Sequence, residues 1–189
     1  MEMDRSEMRR SPPAILSVMS EWGRLTYGDP CGGCGFRWTI TQERAIAMVS
    51  ATPEELAGML AGTDGSQRRP DLTWPAVAYV CHVSDNLRIW AERLAGLASG
   101  DPRPVGRYDE DLLAQARRYD EVSLAGALWS LDRAVKDWTE AVRLAHRVGI
   151  TLVHPDRGRQ SLLDVVCSNA HDACHHCWDV RRTIDGPDG

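Results

Sequence analysis

Lysine is almost missing from this chain of 189 residues: Lys136 is the only one among 22 basic residues, the rest being arginine. That bias is what GC-rich coding produces. Acidic residues outnumber basic ones, 27 to 22, for a formal net charge of −5. A dedicated nucleic-acid binder needs a basic face to neutralise phosphates, and this balance argues against one. Long apolar runs are missing too; none approaches the roughly 20 residues of a membrane-spanning helix. The charged start, Met1-Glu2-Met3-Asp4-Arg5, lacks the apolar core of a secretory signal. The expectation is a cytoplasmic protein with neither a membrane nor a nucleic acid as partner. Phenylalanine occurs once, at Phe36, whereas tryptophan occurs seven times, so indoles carry the aromatic burial or line a pocket. Also absent are a His-Glu-x-x-His metalloprotease helix, a phosphate-binding glycine loop ending in Lys-Ser/Thr, and a Ser-His-Asp order. Gluzincin-type proteolysis, nucleotide use and serine nucleophile chemistry are poor readings.

What is present is an ordinary globular composition, 43% hydrophobic and 26% charged, of a size that suits one domain. Such a chain buries roughly two-thirds of the surface that it exposes when unfolded. Residues 1–27 read as a partly flexible N-terminal segment with a short helix over 13–21. Residues 28–38 form a glycine-rich loop around Cys31 and Cys34. Helical spacing of Ile46, Val49, Leu56 and Leu60 predicts a helix from Thr41 to about Gly62, interrupted at Thr52-Pro53. A second helix opens at Trp74-Pro75 and runs to about Leu97. A third spans about 111–147, with a break near Asp120, on Leu124, Leu128, Leu131, Val135, Trp138 and Val142. A short extended piece is expected at Ile150–Val153, with no strand pair. Ser161 then caps a last helix to about Ile184, with Asp164 in the capping-box position. The bundle covers 28–184 and residues 185–189 form a tail. Four long helices without a sheet predict an all-α four-helix bundle with longer than minimal crossovers.

The chemistry concentrates in the last helix, Ala170-His171-Asp172-Ala173-Cys174-His175-His176-Cys177-Trp178-Asp179. His171 and His175 are four residues apart and share a helix face, so two imidazoles can chelate one metal. His82 lies at a comparable depth in the second helix and would supply a third nitrogen if the two helices are neighbours. Three histidines leave an open fourth position, the catalytic pattern rather than the structural one. A single histidine on an apolar face, taken alone, is more often a satisfied core residue. Asp85, Asp172 and Asp179 neighbour the three histidines and are candidates to orient an imidazole, although Asp172 reads better as an exposed helix carboxylate. Trp178 shares the face of His171 and His175, as a pocket wall or as packing. His176 points about 100° away and is not assigned to the metal; His146 and His154 are expected at the surface.

Two stretches carry a resemblance. Trp74-Pro-Ala-Val-Ala-Tyr-Val-Cys-His82-Val-Ser-Asp-Asn-Leu and His171-Asp-Ala-Cys-His175-His176-Cys-Trp-Asp179 resemble the second-helix and last-helix signatures of the DinB-like metal-dependent four-helix-bundle family. Arg107-Tyr-Asp-Glu-Asp111 resembles the segment that follows the second helix there. The resemblance covers about residues 30–183. It implies His82, His171 and His175 as ligands of a divalent metal, zinc first and nickel or iron next, and a homodimer as a further expectation. That family shares its fold with mycothiol-dependent maleylpyruvate isomerase and with thiol S-transferases that use mycothiol or bacillithiol.

The cysteines form a second cluster. Cys31-Gly-Gly-Cys34-Gly is similar to a zinc knuckle, and Cys174 and Cys177 repeat the spacing on the last helix. One reading is a structural Cys₄ zinc site of Cys31, Cys34, Cys174 and Cys177. A second leaves Cys174 and Cys177 as packing thiols, with a free or disulfide-forming loop pair. A third makes Cys31 and Cys34 redox-active. Cys81 and Cys167 read as small buried hydrophobes.

The function expected from all this is a metal-dependent transferase that adds a low-molecular-weight thiol of the mycothiol type to an electrophilic small molecule. Arg88, Arg93, Arg181 and Arg182 are candidates to hold an anionic reactant. One alternative keeps the metal for a hydrolase, an isomerase or a tailoring step of secondary metabolism. Another is a non-enzymatic, zinc-stabilised stress or metal-binding protein.

Overall fold

A computed structural model describes residues 21–101 and 104–185. The expected N-terminal helix over 13–21 and the expected tail 185–189 fall outside the described residues, apart from residues 21 and 185, the latter being the last of α6. The elements in chain order are α1 (Trp22–Tyr27), α2 (Gln42–Met59), α3 (Ala76–Ala98), α4 (Glu110–Ala116), a 3₁₀ turn (Tyr119–Glu121), α5 (Leu124–Val148), β1 (Thr151–His154), β2 (Gly158–Ser161) and α6 (Leu162–Asp185).

The four long helices α2, α3, α5 and α6 form the expected bundle: α3 packs along α5, α2 along α6, and α3 faces α6. Each start has a local cause. Thr41 caps α2 by accepting from the Arg44 amide, Ser123 caps α5 by accepting from Gly126, and Asp109 caps α4 by accepting from Leu112. Pro75 precedes α3, where a missing N–H costs nothing. Ser161 and Asp164 bond one another's side chains and amides, the reciprocal cap expected at the start of α6. The core is built on the fully buried Trp90, Trp138, Leu56, Leu60, Leu87, Leu94 and Leu131. Trp138 donates its indole N–H to Asn169 at 2.9 Å, which ties α5 to α6.

Two expectations change. Helix α2 runs through Thr52-Pro53 without a break; the Thr52 hydroxyl donates to the Met48 carbonyl at 3.1 Å beside the amide that proline lacks. The third expected helix is interrupted near Asp120 as expected, by a 3₁₀ turn between α4 and α5 that Arg118 enters left-handed at φ 51°. The extended piece near Ile150 is one arm of a hairpin. In it β1 and β2 pair antiparallel, with Leu152 opposite Gln160. Four-residue strands are too short to show as a periodic pattern. Helix α1 and the loop after it lie against the middle of α6, where Tyr27 and Trp38 reach His171. No helix among the described residues is long and apolar enough to cross a membrane.

Candidate metal centre

Residues four apart on a helix differ by about 40° in direction, so α6 carries two parallel rows. His171 and His175 form one; Asp172 and His176 form the other, about 100° further round. The rows meet different neighbours. His171 and His175 face the loop after α1 and group with Cys31 and Cys34, while Asp172 and His176 face α3 and group with His82. In each group the ligating atoms lie within 4.8 Å of one another. The structure thus brings His171 and His175 together as the spacing implies. It places His82 with Asp172 and His176 instead of with them, because α3 packs on the Asp172–His176 row. His176, left unassigned by the sequence reading, and Asp172, read as an exposed carboxylate, are therefore part of the cluster.

The His82 group has donors that could hold a cation. His82 Nε2 lies 3.5 Å and His176 Nε2 3.6 Å from the same Asp172 oxygen. Ligand atoms around a small divalent ion sit about 3.0–3.4 Å apart, given bonds of about 2.1 Å, so these separations fit one with little adjustment. Asp172 Oδ2 accepts from the Asn86 side chain at 2.8 Å, and Tyr108 donates to Asn86 at 3.0 Å. His176 Nδ1 lies 3.0 Å from Asp179, which leaves Nε2 toward Asp172. Burial works against ionisation of Asp172, but the charges of His82 and His176 and the Asn86 bond outweigh it and hold the carboxyl well below its ordinary range. Burial likewise opposes a charge on His82, yet Asp172 carries its pKa above the ordinary value. Two imidazoles and one carboxylate are a donor set that leaves coordination positions open.

Asp179 thus orients an imidazole as expected, although that of His176. Asp85 does not: it is buried, bonded to Arg88 at 2.6 Å and Tyr119 at 2.6 Å, and paired with Arg117. Trp178 packs on His175 at 5.3 Å between ring centres and lines a cavity with Cys34, Cys174 and Cys177.

The four cysteines do not form one set. Cys31 Sγ is 3.6 Å from His175 Nδ1. Cys174 hydrogen-bonds Cys34, which draws its pKa below the ordinary thiol value. Cys177 is turned toward Glu55 of α2, and burial pushes its thiol up to about 12. Cys81 and Cys167 are buried, with thiols also pushed up to about 12 by burial, in keeping with packing roles. No cysteine is in a disulfide among the described residues.

Two cavities open on the centre. One of about 400 Å³ is lined by His82, Asp172 and His176 and also by His171, His175 and Trp74. The other, of about 420 Å³, is walled by Trp22, Trp90 and Tyr108 and by Arg93, Arg107 and Arg157. They share Tyr27, Glu110, His171 and Asp172. The Arg157 guanidinium lies 4.1 Å over the Trp22 ring and makes no ion pair among the described residues. Arg93 stacks on Trp90 at 4.8 Å. Of the four arginines expected near the mouth, Arg93 alone lines this cavity. Arg88 is bound to Asp85 and Ser130, Arg181 to Glu55, and Arg182 to Asp71. His154, expected at the surface, is buried and stacks on Trp90 beside this cavity, whereas His146 is exposed as expected.

Comparison with solved structures gives one fold-level match. YfiT from Bacillus subtilis, described as "a probable metal-dependent hydrolase with an unusual four-helix bundle topology", superposes with a TM-score of 0.65. The match covers 86% of this chain and 98% of YfiT, at 20% sequence identity. The fold is of the YfiT type. No protein-family model and no curated protein matches the chain by sequence. At this identity the likeness to YfiT establishes the bundle topology, and the chemistry rests on the side chains described above.

Proposed function

We propose that the chain is a metal-dependent enzyme of the DinB-like kind, with its reactive centre at His82, Asp172 and His176 and a small anionic molecule as its substrate. The observation that carries this reading is an incomplete donor set, held by Asn86 and Asp179, that opens onto an arginine-lined cavity. A divalent ion held there would act as a Lewis acid and lower the pKa of a coordinated water or thiol. The chain's own residues do the rest. Asn86 and Tyr108 fix the Asp172 carboxylate, and Asp179 sets the His176 tautomer. Arg93 and Arg157 offer charge to an anionic group of the substrate, while Trp22 and Trp90 present apolar walls to its body.

Hydrolysis is the first reading, since it needs only water and accords with the description of YfiT. Thiol transfer of the mycothiol type is the second. It is favoured by the two adjoining cavities, which give room for a thiol and an electrophile on either side of Asp172. A panel of anionic esters and amides, and of electrophiles with and without a low-molecular-weight thiol, separates the two. Turnover without thiol supports hydrolysis; saturation with thiol supports transfer. Under either reading His82→Ala and His176→Ala lose activity by at least about 100-fold, and Arg157→Ala raises KM with little effect on kcat. Full activity in His176→Ala overturns the proposal.

A further inference from the structure

We propose that Cys31, Cys34, His171 and His175 form a second, closed zinc site that clamps the loop after α1 onto α6. It is independent of the open centre.

The donor set is the first argument. Two thiolates and two imidazoles, in a C-x₂-C and H-x₃-H spacing, complete a tetrahedron and leave no position for a substrate. Geometry is the second. With bonds of about 2.3 Å to sulfur and 2.0–2.1 Å to nitrogen, tetrahedral S and N ligands stand about 3.6 Å apart. Cys31 Sγ and His175 Nδ1 are 3.6 Å apart, and all four ligating atoms lie within 4.8 Å of one another. The third argument is an unmet need: His171 is 5% exposed, and its Nε2 is buried with no hydrogen-bond partner among the described residues. Such an atom costs desolvation energy unless something binds it.

The loop is shaped for the same end. Cys31 N–H donates to Phe36 at 2.8 Å, and Gly35 N–H donates back to Cys31 at 3.0 Å. Gly35 takes φ 74°, a turn that favours glycine. A Cβ on Gly33 would stand 2.9 Å from the His175 ring, so only glycine lets the backbone come this close. Cys174 hydrogen-bonds Cys34 and stands outside the group of four ligating atoms. Binding one zinc ion displaces one proton from each of Cys31 and Cys34 to solvent.

The clamp has a consequence for the cavities. Tyr27 lies 4.4 Å from His171 between ring centres and lines both of them, and Trp38 lies 4.7 Å from His171. Fixing Cys31 and Cys34 to α6 therefore fixes one wall of both cavities.

The test is cobalt(II) chloride added to the metal-stripped full chain, read as thiolate-to-cobalt charge-transfer absorption. One thiolate-ligated cobalt per chain is expected in the wild type. The band disappears in the Cys31→Ser/Cys34→Ser double variant and keeps full intensity in His82→Ala and in Cys174→Ser. Should the double variant fail to fold by circular dichroism, Cys34→His decides: it keeps four donors with one thiolate, and the absorption falls to about half. Absence of the band in the wild type, its loss in Cys174→Ser, or full intensity in Cys34→His overturns the assignment. Because His82→Ala leaves this signal intact while abolishing turnover, failure of the clamp and failure of the proposed activity are separate results.

Discussion

Asn86 is the residue on which the open centre turns. It receives from Tyr108 and gives to Asp172, so it ties the carboxylate to the wall of the arginine-lined cavity. Asn86→Leu should weaken metal binding at that centre by about 10–100-fold, the usual effect of losing a group that orients a ligand, measured by chelator competition. Asp179→Asn should act similarly through the His176 tautomer. An unchanged affinity in both would show that the two residues do not support the centre. His154 gives a pH signature. Burial, and then the Arg157 charge, hold its pKa below the ordinary value, and its Nδ1 accepts from the Asp156 amide, which only the neutral ring can do. The stability it confers is present above the unfolded value of about 6.5 and drains away as the pH falls toward the lower folded value. The stability difference between wild type and His154→Gln should therefore shrink as the pH falls below about 6.5. A difference that stays flat over that range would contradict this account of His154.

At the scale of elements, α2 carries a removable defect. Pro53 lies inside an unbroken helix, where proline is about 3 kcal/mol worse than alanine in a free helix. Pro53→Ala should raise stability by roughly 1–3 kcal/mol, and a loss of stability in thermal melts would mean that packing around the ring outweighs the missing hydrogen bond. Ser161→Ala, which removes the reciprocal cap of α6, should cost about 1 kcal/mol. Caps and long amphipathic stripes are the features that the sequence makes legible: Thr41, Pro75, Ser161 and the runs after them place α2, α3 and α6, and the stripe from Leu124 to Val142 places α5. The hairpin is not legible, since two four-residue strands have no periodicity to read, whereas the break near Asp120 is. In the site, spacing alone identifies His171 with His175. It cannot say which of two adjacent rows on α6 meets α3, because the i, i+4 pair Asp172–His176 has the same spacing as His171–His175. The partner of each row depends on how the helices are rotated in the bundle. That is a property of the packed core, set by residues such as Trp138 and Asn169. The same rotation turns Cys177 to α2 and leaves Cys174 beside Cys34, which divides the cysteines that the repeated C-x₂-C spacing suggests joining.

On the scale of the whole molecule, the bundle carries two metal-type clusters on adjacent faces of one helix. The His175 and His176 rings are 6.0 Å apart, yet they serve different clusters. The most direct measurement is metal content per chain by elemental analysis after zinc reconstitution and gel filtration, on the wild type, His82→Ala, His176→Ala, His171→Ala and Cys31→Ser. About two zinc ions are expected in the wild type, in keeping with two separate donor sets. One ion should be lost in His82→Ala and His176→Ala alike, and the other in His171→Ala and Cys31→Ser alike. A single ion that disappears in both His82→Ala and His171→Ala and survives in His176→Ala would contradict the two-site assignment, and would put the three histidines His82, His171 and His175 around one metal.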